Sequence, residues 1–583
     1  MSITDSSNSD SGDKSNSYKT RASVESLASR PSAQVLVIGG GINGVSVFRD
    51  LALQGVDVAL VERNDFCSGA SGASSHMIHG GIRYLENGEF RLVSESVDER
   101  NDLLKTAPHY VKPLETTIPI FTTFSGVVSG ALGFFKRRKA KRTERGAALI
   151  KVGLTVYDAF SRRRGSVPRH RFVGRTTALR EMPMLHPGIR YAATYFDASV
   201  HNPERLTLDV LSSGLEANPS ARASNYLSVH SMGPEGIFLR DEITGEDIPF
   251  DAEVVVNVTG AWVDETNAAS GLPTAYMGGT KGSHIVLDDP TLLKACAGRE
   301  VFFEHTDGRI VLIYPIGERV LVGTTDIATS EEDPVGEAVC TEEEIDYFFD
   351  LISHVFPAIT VDRSMIVYSF SGVRPLPSQE NLEPGLISRD YRLERNVEKT
   401  PEGTQAIISV IGGKWTTFRA LGAQIADEVL PMVKVSRKAN TQGLPIGGGW
   451  NYPTANGAET TWVEQHLSGG ISPSRATLLF ERYGTRAPEV LSYLQRHNDQ
   501  LFTSTPELST AEVKYMIEHE QALHLADILQ RRTDLTFTGE VTLAVLEELA
   551  AVMATYLQWS DSFKKAQLNT TRDVLSQRHH VRL

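Results

Sequence analysis

The sequence predicts an α/β protein with a parallel βαβ core, a largely antiparallel sheet interleaved with that core, and a helical C-terminal domain. Three observations carry the prediction. An apolar run, a glycine turn and an amphipathic helix succeed one another between residues 34 and 62. Short β-type runs recur at 281–287 and 307–326, and from Trp462 onward the apolar spacing becomes helical. At 583 residues the chain exceeds what one core organises, so two or three domains are expected.

The first element is QVLVIGGGINGVSVFRDLALQGVDVALVE, beginning at Gln34. Val35 to Ile38 read as a buried strand, and Gly39-x-Gly41-x-x-Gly44 follows at once, with Asn43 in the same turn. Val45, Phe48, Leu51 and Ala52 then recur at helical spacing, and a second β-type run from Val56 ends on Glu62. The pattern predicts a Rossmann-like dinucleotide site. Gly39 makes the tight turn, Gly41 admits a pyrophosphate to the backbone, and Gly44 lets helix and strand pack. The helix N-terminus faces the phosphates with free N–H groups, and Glu62 is placed to accept hydrogen bonds from an adenosine ribose. Before this unit, residues 1–32 are rich in Ser, Asp, Asn and Lys, which predicts a disordered tail.

After Glu62 comes CSGASGASSHMIHGGIRYLENGEFRLVSESVDER, starting at Cys67. Small residues, among them Ser71, Ser74, Ser75 and Gly80, let backbone N–H groups reach a cofactor, and Phe90, Val93, Val97 and Leu104 have helical spacing. His79, Arg83 and Tyr84 bracket glycines, a mix foreign to a core. The segment SSHMIHGGIRYLENGEFRLVSES, with LLKTAPH after it, resembles the signature of the FAD-dependent glycerol-3-phosphate dehydrogenases. That family belongs to the wider glutathione-reductase-like and D-amino-acid-oxidase-like flavoproteins. The resemblance implies FAD as cofactor, oxidation of sn-glycerol 3-phosphate to dihydroxyacetone phosphate, and quinone as electron acceptor. Members commonly carry Lys where this chain has His76.

Further on, FSGVVSGALGFF from Phe124 is apolar, and KRRKAKRTER from Lys136 carries seven basic residues and one Glu. On a chain of net charge −14 this reversal of sign suits an anionic membrane surface, although a solvated basic loop is an equal reading. The overall charge argues against nucleic acid as a partner. YAATYFDASVHNPERL from Tyr191 resembles a family segment entering the substrate domain. In DAEVVVNVTGAW, from Asp251, a buried strand precedes Gly260, a second approach to the cofactor that favours FAD over NAD. KGSHIVL and DGRIVLIYPIGERVLVGTTD read as strands of the antiparallel sheet, and 342–355 reads as a helix. VYSFSGVRPL contains Arg374. IISVIGGKWTTFRA, from Ile407, gives a strand, a turn at Gly413, Lys414 and Thr416, and a helix start whose amides would face the flavin. Residues 33–435 are expected to form the cofactor domain with its interleaved substrate parts (about 110–200 and 276–366). A linker at 436–460 and a helical domain at 461–583 are expected to follow. Helices are expected over 513–529 and 541–559, with His519 and His524 five apart on the first, a spacing unsuited to a metal. No metal site is expected.

The three cysteines are far apart without metal or disulfide spacing, which fits a reducing compartment. No apolar run reaches 18 residues and no secretory h-region is seen, so neither a spanning helix nor a signal peptide is expected. Together with the resemblance, this predicts a cytoplasmic protein attached peripherally to the inner face of the cell membrane; a homodimer is left open. A phosphate in a closed pocket calls for guanidinium. The resemblance implies Arg83, Arg374 and Arg389 as its ligands, Tyr84 and Thr324 as neutral donors, and His79 and Lys414 near the ring. His79 has the natural pKa for accepting the hydroxyl proton, and His79, Arg374 and Lys414 are the catalytic candidates. A soluble oxidase yielding hydrogen peroxide, an amine or 2-hydroxy-acid flavoenzyme, and a flavin-bearing binding protein are the competing readings.

Overall fold

The computed structural model describes residues 21–85, 88–123, 147–161, 167–305, 309–329, 336, 338–378, 390–400, 403–467 and 470–583. The apolar and basic stretch 124–145 and Arg389 lie outside these residues, as does the side chain of Arg83.

Two sheets organise the chain. The first runs in the order Arg392–Thr400, Gly403–Ile411, Asp247–Asn257, Ser32–Ile38, Val58–Val61, Arg222–Ser224. Its strands from Gly403–Ile411 to Arg222–Ser224 are parallel, and Arg392–Thr400 returns antiparallel at the edge. The inner strands are almost continuously apolar because helices cover them: Ile42–Leu53 packs against Pro203–Ala217 and Phe418–Val429. A small meander, Leu227–Gly233 and Gly236–Asp241, pairs with the first half of Asp247–Asn257.

The second sheet is antiparallel except where Glu300–Glu304 runs parallel to Val111–Ile120. It takes strands from both halves of the chain, including Val111–Ile120, Tyr191–Val200, Thr280–Leu287, Ile310–Ile316, Arg319–Gly323 and Ile366–Arg374. One face is closed by Glu342–Val355, a helix started by a reciprocal Thr341–Glu344 capping box. The other face meets the Gly-Ala-Ser loop: a Cβ on Gly372 would lie 2.6 Å from Cβ of Ala73.

The C-terminal residues form helices around two apolar cores, among them Pro473–Tyr483, Thr510–Glu520, Leu543–Leu557 and Asp561–His579. Three expectations need correcting. Residues 22–29, expected in a disordered tail, form a helix, because Leu27 is buried and Arg21 pairs with Asp241 at 2.8 Å. The expected linker is packed rather than free at Ile446–Gly449, where a Cβ on Gly449 would meet the Thr106 carbonyl at 2.1 Å. The helix expected over 513–529 stops at Glu520. Gln521 turns left-handed (φ 55°), and its carbonyl accepts the Asn225 side-chain N–H at 2.9 Å. His519 and His524 therefore sit on different elements.

Among the described residues, no helix is long and apolar enough to cross a membrane, and no group of His, Cys, Asp or Glu is placed to hold a metal ion. The three cysteines are free and buried.

Candidate active site

The glycine turn is built by contact. Gly39 has φ +112°, and a Cβ there would lie 2.7 Å from the Val258 carbonyl oxygen. A Cβ on Gly44 would lie 1.9 Å from the Gly39 carbonyl, so the first turn of Ile42–Leu53 rests directly on the strand end. Gly41 caps that helix without a side-chain hydrogen bond. The Ile42 N–H donates to Ser71 Oγ at 3.0 Å, which fastens the Gly-Ala-Ser loop over the turn. Glu62 accepts the Gly40 N–H at 2.7 Å and the Asn64 N–H at 2.9 Å, and burial raises its pKa. Part of its accepting capacity thus goes to the chain itself. Asn43 Oδ1 is buried with no partner among the described residues.

A second turn meets the first. Gly412 and Gly413 have φ +83° and +118°, and a Cβ on Gly413 would lie 2.7 Å from Asn43 Nδ2. Gly260, φ +64°, opens a short helical turn after the strand Asp247–Asn257, and a Cβ there would reach only Pro375, at 4.0 Å. Trp415 Nε1 donates to the Ser71 carbonyl at 3.0 Å. Lys414 Nζ donates to the His79 carbonyl at 3.2 Å and to Ser96 Oγ at 2.9 Å, and stands 4.6 Å from the Tyr84 ring centre. Thr416 Oγ1 donates to the same carbonyl at 3.3 Å. The His79 and Tyr84 rings are 6.1 Å apart. Behind them lies a cluster that sequence reasoning missed: the Gly80 N–H donates to Asp197 Oδ1 at 3.0 Å, which also accepts from buried Arg100 at 2.9 Å and from Tyr157. No local pattern links these positions: Arg100 lies on the helix Phe90–Thr106, Tyr157 on Ala147–Ser161 and Asp197 on the strand Tyr191–Val200, and only tertiary packing brings them together.

The antiparallel sheet supplies the opposite wall. Arg374 donates to Thr324 Oγ1 at 2.7 Å, to the Thr325 carbonyl at 3.1 Å and to Asp326 at 3.1 Å. Gly282 leaves its guanidinium room, since a Cβ there would lie 2.1 Å from Nη2. Arg374 and Gly372, two apart on one strand, share the face that meets the Gly-Ala-Ser loop. Ser75 Oγ lies 2.8 Å from Nε2 of His284, a buried residue outside the expected set whose only sequence signal was a His within the apolar run KGSHIVL. Ser74 Oγ accepts the His76 N–H at 3.3 Å. His76 itself is buried against Phe537, with its Nδ1 3.1 Å from the Val200 carbonyl oxygen, and burial lowers its pKa to about 4. Where the resemblance implies a cation, this chain holds a neutral ring.

The structure therefore brings His79, Tyr84, Lys414 and Thr416 to one side of the Gly-Ala-Ser loop, with Arg374 and Thr324 on the sheet side. Arg83 lies on the short helix Ile82–Leu85 beside Tyr84. Gly41, Asn43, Ser71, Ser75, His79 and Gly413 remain half-exposed within an otherwise buried interior. A helix N-terminus with no side-chain cap at Gly41 and glycines held by steric contact fit a pyrophosphate, and the orphaned Asn43 Oδ1, an acceptor, fits a hydroxyl or N–H elsewhere on such a cofactor.

Fold and site together define a class, the flavin-dependent oxidoreductases with a sheet-roofed cofactor domain. Residues 34–397 match the family described as FAD dependent oxidoreductase, and 439–564 match the C-terminal domain of alpha-glycerophosphate oxidase. A glycerol-3-phosphate dehydrogenase of Synechocystis sp. is 32% identical, the alignment covering 93% of this chain and 96% of that one. The aerobic glycerol-3-phosphate dehydrogenase of Bacillus subtilis is 27% identical over 93% and 94% of the two chains. The X-ray structure of the glycerol-3-phosphate dehydrogenase from Bacillus halodurans, complexed with FAD, superposes with a TM-score of 0.72 at 22% identity. It covers 95% of this chain and 97% of that one, which shows a shared fold. This chain belongs to the FAD-dependent glycerol-3-phosphate dehydrogenase family.

Proposed function

We propose that this protein oxidises sn-glycerol 3-phosphate to dihydroxyacetone phosphate at the cleft between the Gly-Ala-Ser loop and the antiparallel sheet, and passes the electrons to quinone at a membrane surface. The observation that carries the reading is Arg374, a guanidinium pinned by Thr324, Thr325 and Asp326 on the sheet face that meets the loop. Bound FAD supplies the two-electron acceptor, held by the Gly39–Gly44 turn, Ser71 and the Gly412–Gly413 turn. The chain supplies binding, orientation and a proton acceptor. Arg374 takes the phosphate, with Arg83, Arg389 and Tyr84 completing its set of donors, while Thr324, whose hydroxyl accepts from Arg374 at 2.7 Å and donates to the Thr325 carbonyl at 3.2 Å, holds the guanidinium in place. His79 accepts the hydroxyl proton, and Lys414 and Thr416 fix that residue's backbone.

Anaerobic titration of the yellow protein tests the reaction. Glycerol 3-phosphate should bleach the flavin, whereas lactate and D-amino acids should not; bleaching by either alternative instead would sink the reading. Oxygen uptake without added quinone would mark a peroxide-forming oxidase in place of the quinone-linked enzyme.

Membrane attachment rests on the sequence 124–145, where an apolar stretch adjoins seven basic residues. Each Lys or Arg near an anionic surface contributes about 1 kcal/mol, and the apolar piece adds a second, salt-independent attraction. The chain should float with anionic liposomes at low salt, and the attachment should weaken as salt rises because its Coulomb part is screened. A variant with Lys136, Arg137, Arg138 and Lys139 changed to Ser should remain at the bottom; equal flotation of that variant would rule the segment out.

A further inference from the structure

We propose that His284 is a positioning residue: it donates Nε2–H to Ser75 Oγ, so that the hydroxyl hydrogen of Ser75 is directed across the cleft to an oxygen of the bound polyol phosphate. This rests on the substrate placement proposed above.

The imidazole has little freedom. It lies stacked on Phe370, with ring centres 4.7 Å apart and planes 12° apart. On the neighbouring strand it lies against Gly323, where a Cβ would stand 2.2 Å from Cδ2. Nε2 is 2.8 Å from Ser75 Oγ, whereas Nδ1 is buried with no partner among the described residues. The partners choose the tautomer. A buried N–H without an acceptor is the more costly orphan, so the proton belongs on Nε2 and Nδ1 keeps its lone pair. Ser75 Oγ then accepts from His284, and its own hydrogen must go elsewhere. The Ser75 carbonyl is held separately by the Tyr314 hydroxyl at 3.0 Å, so the residue is fixed at both ends while its side chain borders the half-exposed cleft.

Placement along the sheet ties this pair to the phosphate end. Gly323, which His284 covers, is followed by Thr324, whose Oγ1 accepts from Arg374 at 2.7 Å. His284 and Arg374 lie on adjacent strands with their side chains on one face. Burial, with Arg374 near, keeps the His284 ring neutral through the physiological range. A neutral donor there orients Ser75 without adding a charge that would compete with Arg374 for the phosphate.

The test compares Ser75→Ala, His284→Leu, His284→Gln and the Ser75→Ala/His284→Leu double variant as FAD-loaded full-length chains. Flavin content and melting temperature are the controls. Each single loss should lower kcat/KM for glycerol 3-phosphate about ten- to a hundredfold, mainly through kcat. The double variant should fall no further than the worse single one, because the two residues act as one unit. His284→Gln, which keeps an N–H donor, should recover part of the loss. Wild-type kcat/KM in Ser75→Ala overturns the proposal, and that variant removes only a hydroxyl, so it tests the idea even if both His284 variants fold poorly. Losses that multiply in the double variant also overturn it, as does a His284→Leu variant of lowered melting temperature but unchanged kcat/KM per flavin. If glycerol 3-phosphate fails to bleach the wild type, the substrate reading itself has failed; bleaching with an unaffected Ser75→Ala removes this proposal alone.

Discussion

Arg374 illustrates how a binding group is prepared before substrate arrives. A free arginine loses rotamer entropy on binding, but this guanidinium already donates to Thr324, Thr325 and Asp326, and Gly282 leaves the space it occupies. Arg374→Ala should therefore lower kcat/KM for glycerol 3-phosphate by about 2–4 kcal/mol, the range for removing one partner of a desolvated charge pair. Glycerol, which lacks the phosphate, should lose little of any slight activity it supports. Steady-state kinetics on both substrates decide it, since an equal loss on both would assign Arg374 a structural role. The Arg374 motif was visible in the sequence, and the resemblance implies Thr324 as a donor beside it; that Thr324 and Asp326 clamp the guanidinium was not visible, because they reach it only through pairing of strands far apart in the chain. Lys414 shows the same limit. Its motif marked a turn near the ring, whereas the structure turns its ammonium toward the His79 carbonyl and Ser96.

Elements were legible where their signals were local. The helix Glu342–Val355 has its own capping box, and the strand-turn-helix units at Gly39 and Gly412 contain their glycines in sequence. The end of Thr510–Glu520 was not legible, because contacts of Gln521 with residues 223 and 225 set it. Glu300 is another tertiary product, a carboxyl inside the antiparallel sheet that accepts from the Thr116 hydroxyl at 2.7 Å. Burial raises its pKa to about 8 from 4.5, with Asp197 adding to the shift. A group raised on folding contributes stability that is fully present below its unfolded value and is lost as pH rises through its folded value. The native protein should thus lose stability between about pH 4.5 and 8 on this account, by at most about 1.4 kcal/mol per pH unit. Glu300→Gln keeps the shape without the ionisation. Relative to wild type it should gain melting temperature at pH 8 and gain nothing near pH 4.5. Parallel melting curves for the two proteins across that range would show that Glu300 does not carry the slope.

At the scale of the whole molecule, the C-terminal helices are joined to the cofactor domain by buried charge. The turn Ile528–Arg532 is a π-helix, and its wider winding lets consecutive Arg531 and Arg532 both reach Asp65, just after the strand Val58–Val61. Asn225 donates to the same carboxylate at 2.8 Å, Arg205 pairs with Glu520 at 2.7 Å, and Tyr226 donates to Asp527 at 2.7 Å. Burial pushes the Asp65 carboxyl up, but Arg532 and Arg531 overrule it and bring it down to about 2 from 3.8. A depressed carboxylate contributes stability above its unfolded value and loses it as pH falls through its folded value, so the joint should be insensitive to pH above about 4 and weaken between about 4 and 2. Asp65→Asn tests the joint at neutral pH. It removes the carboxylate that two buried guanidiniums share, leaving Arg531 with Asp527 at 2.7 Å and Arg532 with the more distant Glu520 at 3.8 Å, which should cost about 3–5 kcal/mol. Because Asp65 lies beyond the glycine turn, FAD should stay bound while the C-terminal helices loosen. Limited proteolysis should then cut near residues 440–460 at protease concentrations that spare the wild type, and far-UV ellipticity should begin to fall below the temperature of flavin release. A variant that resists protease and melts in one step at the wild-type temperature would mean that the apolar contacts alone hold the two parts together.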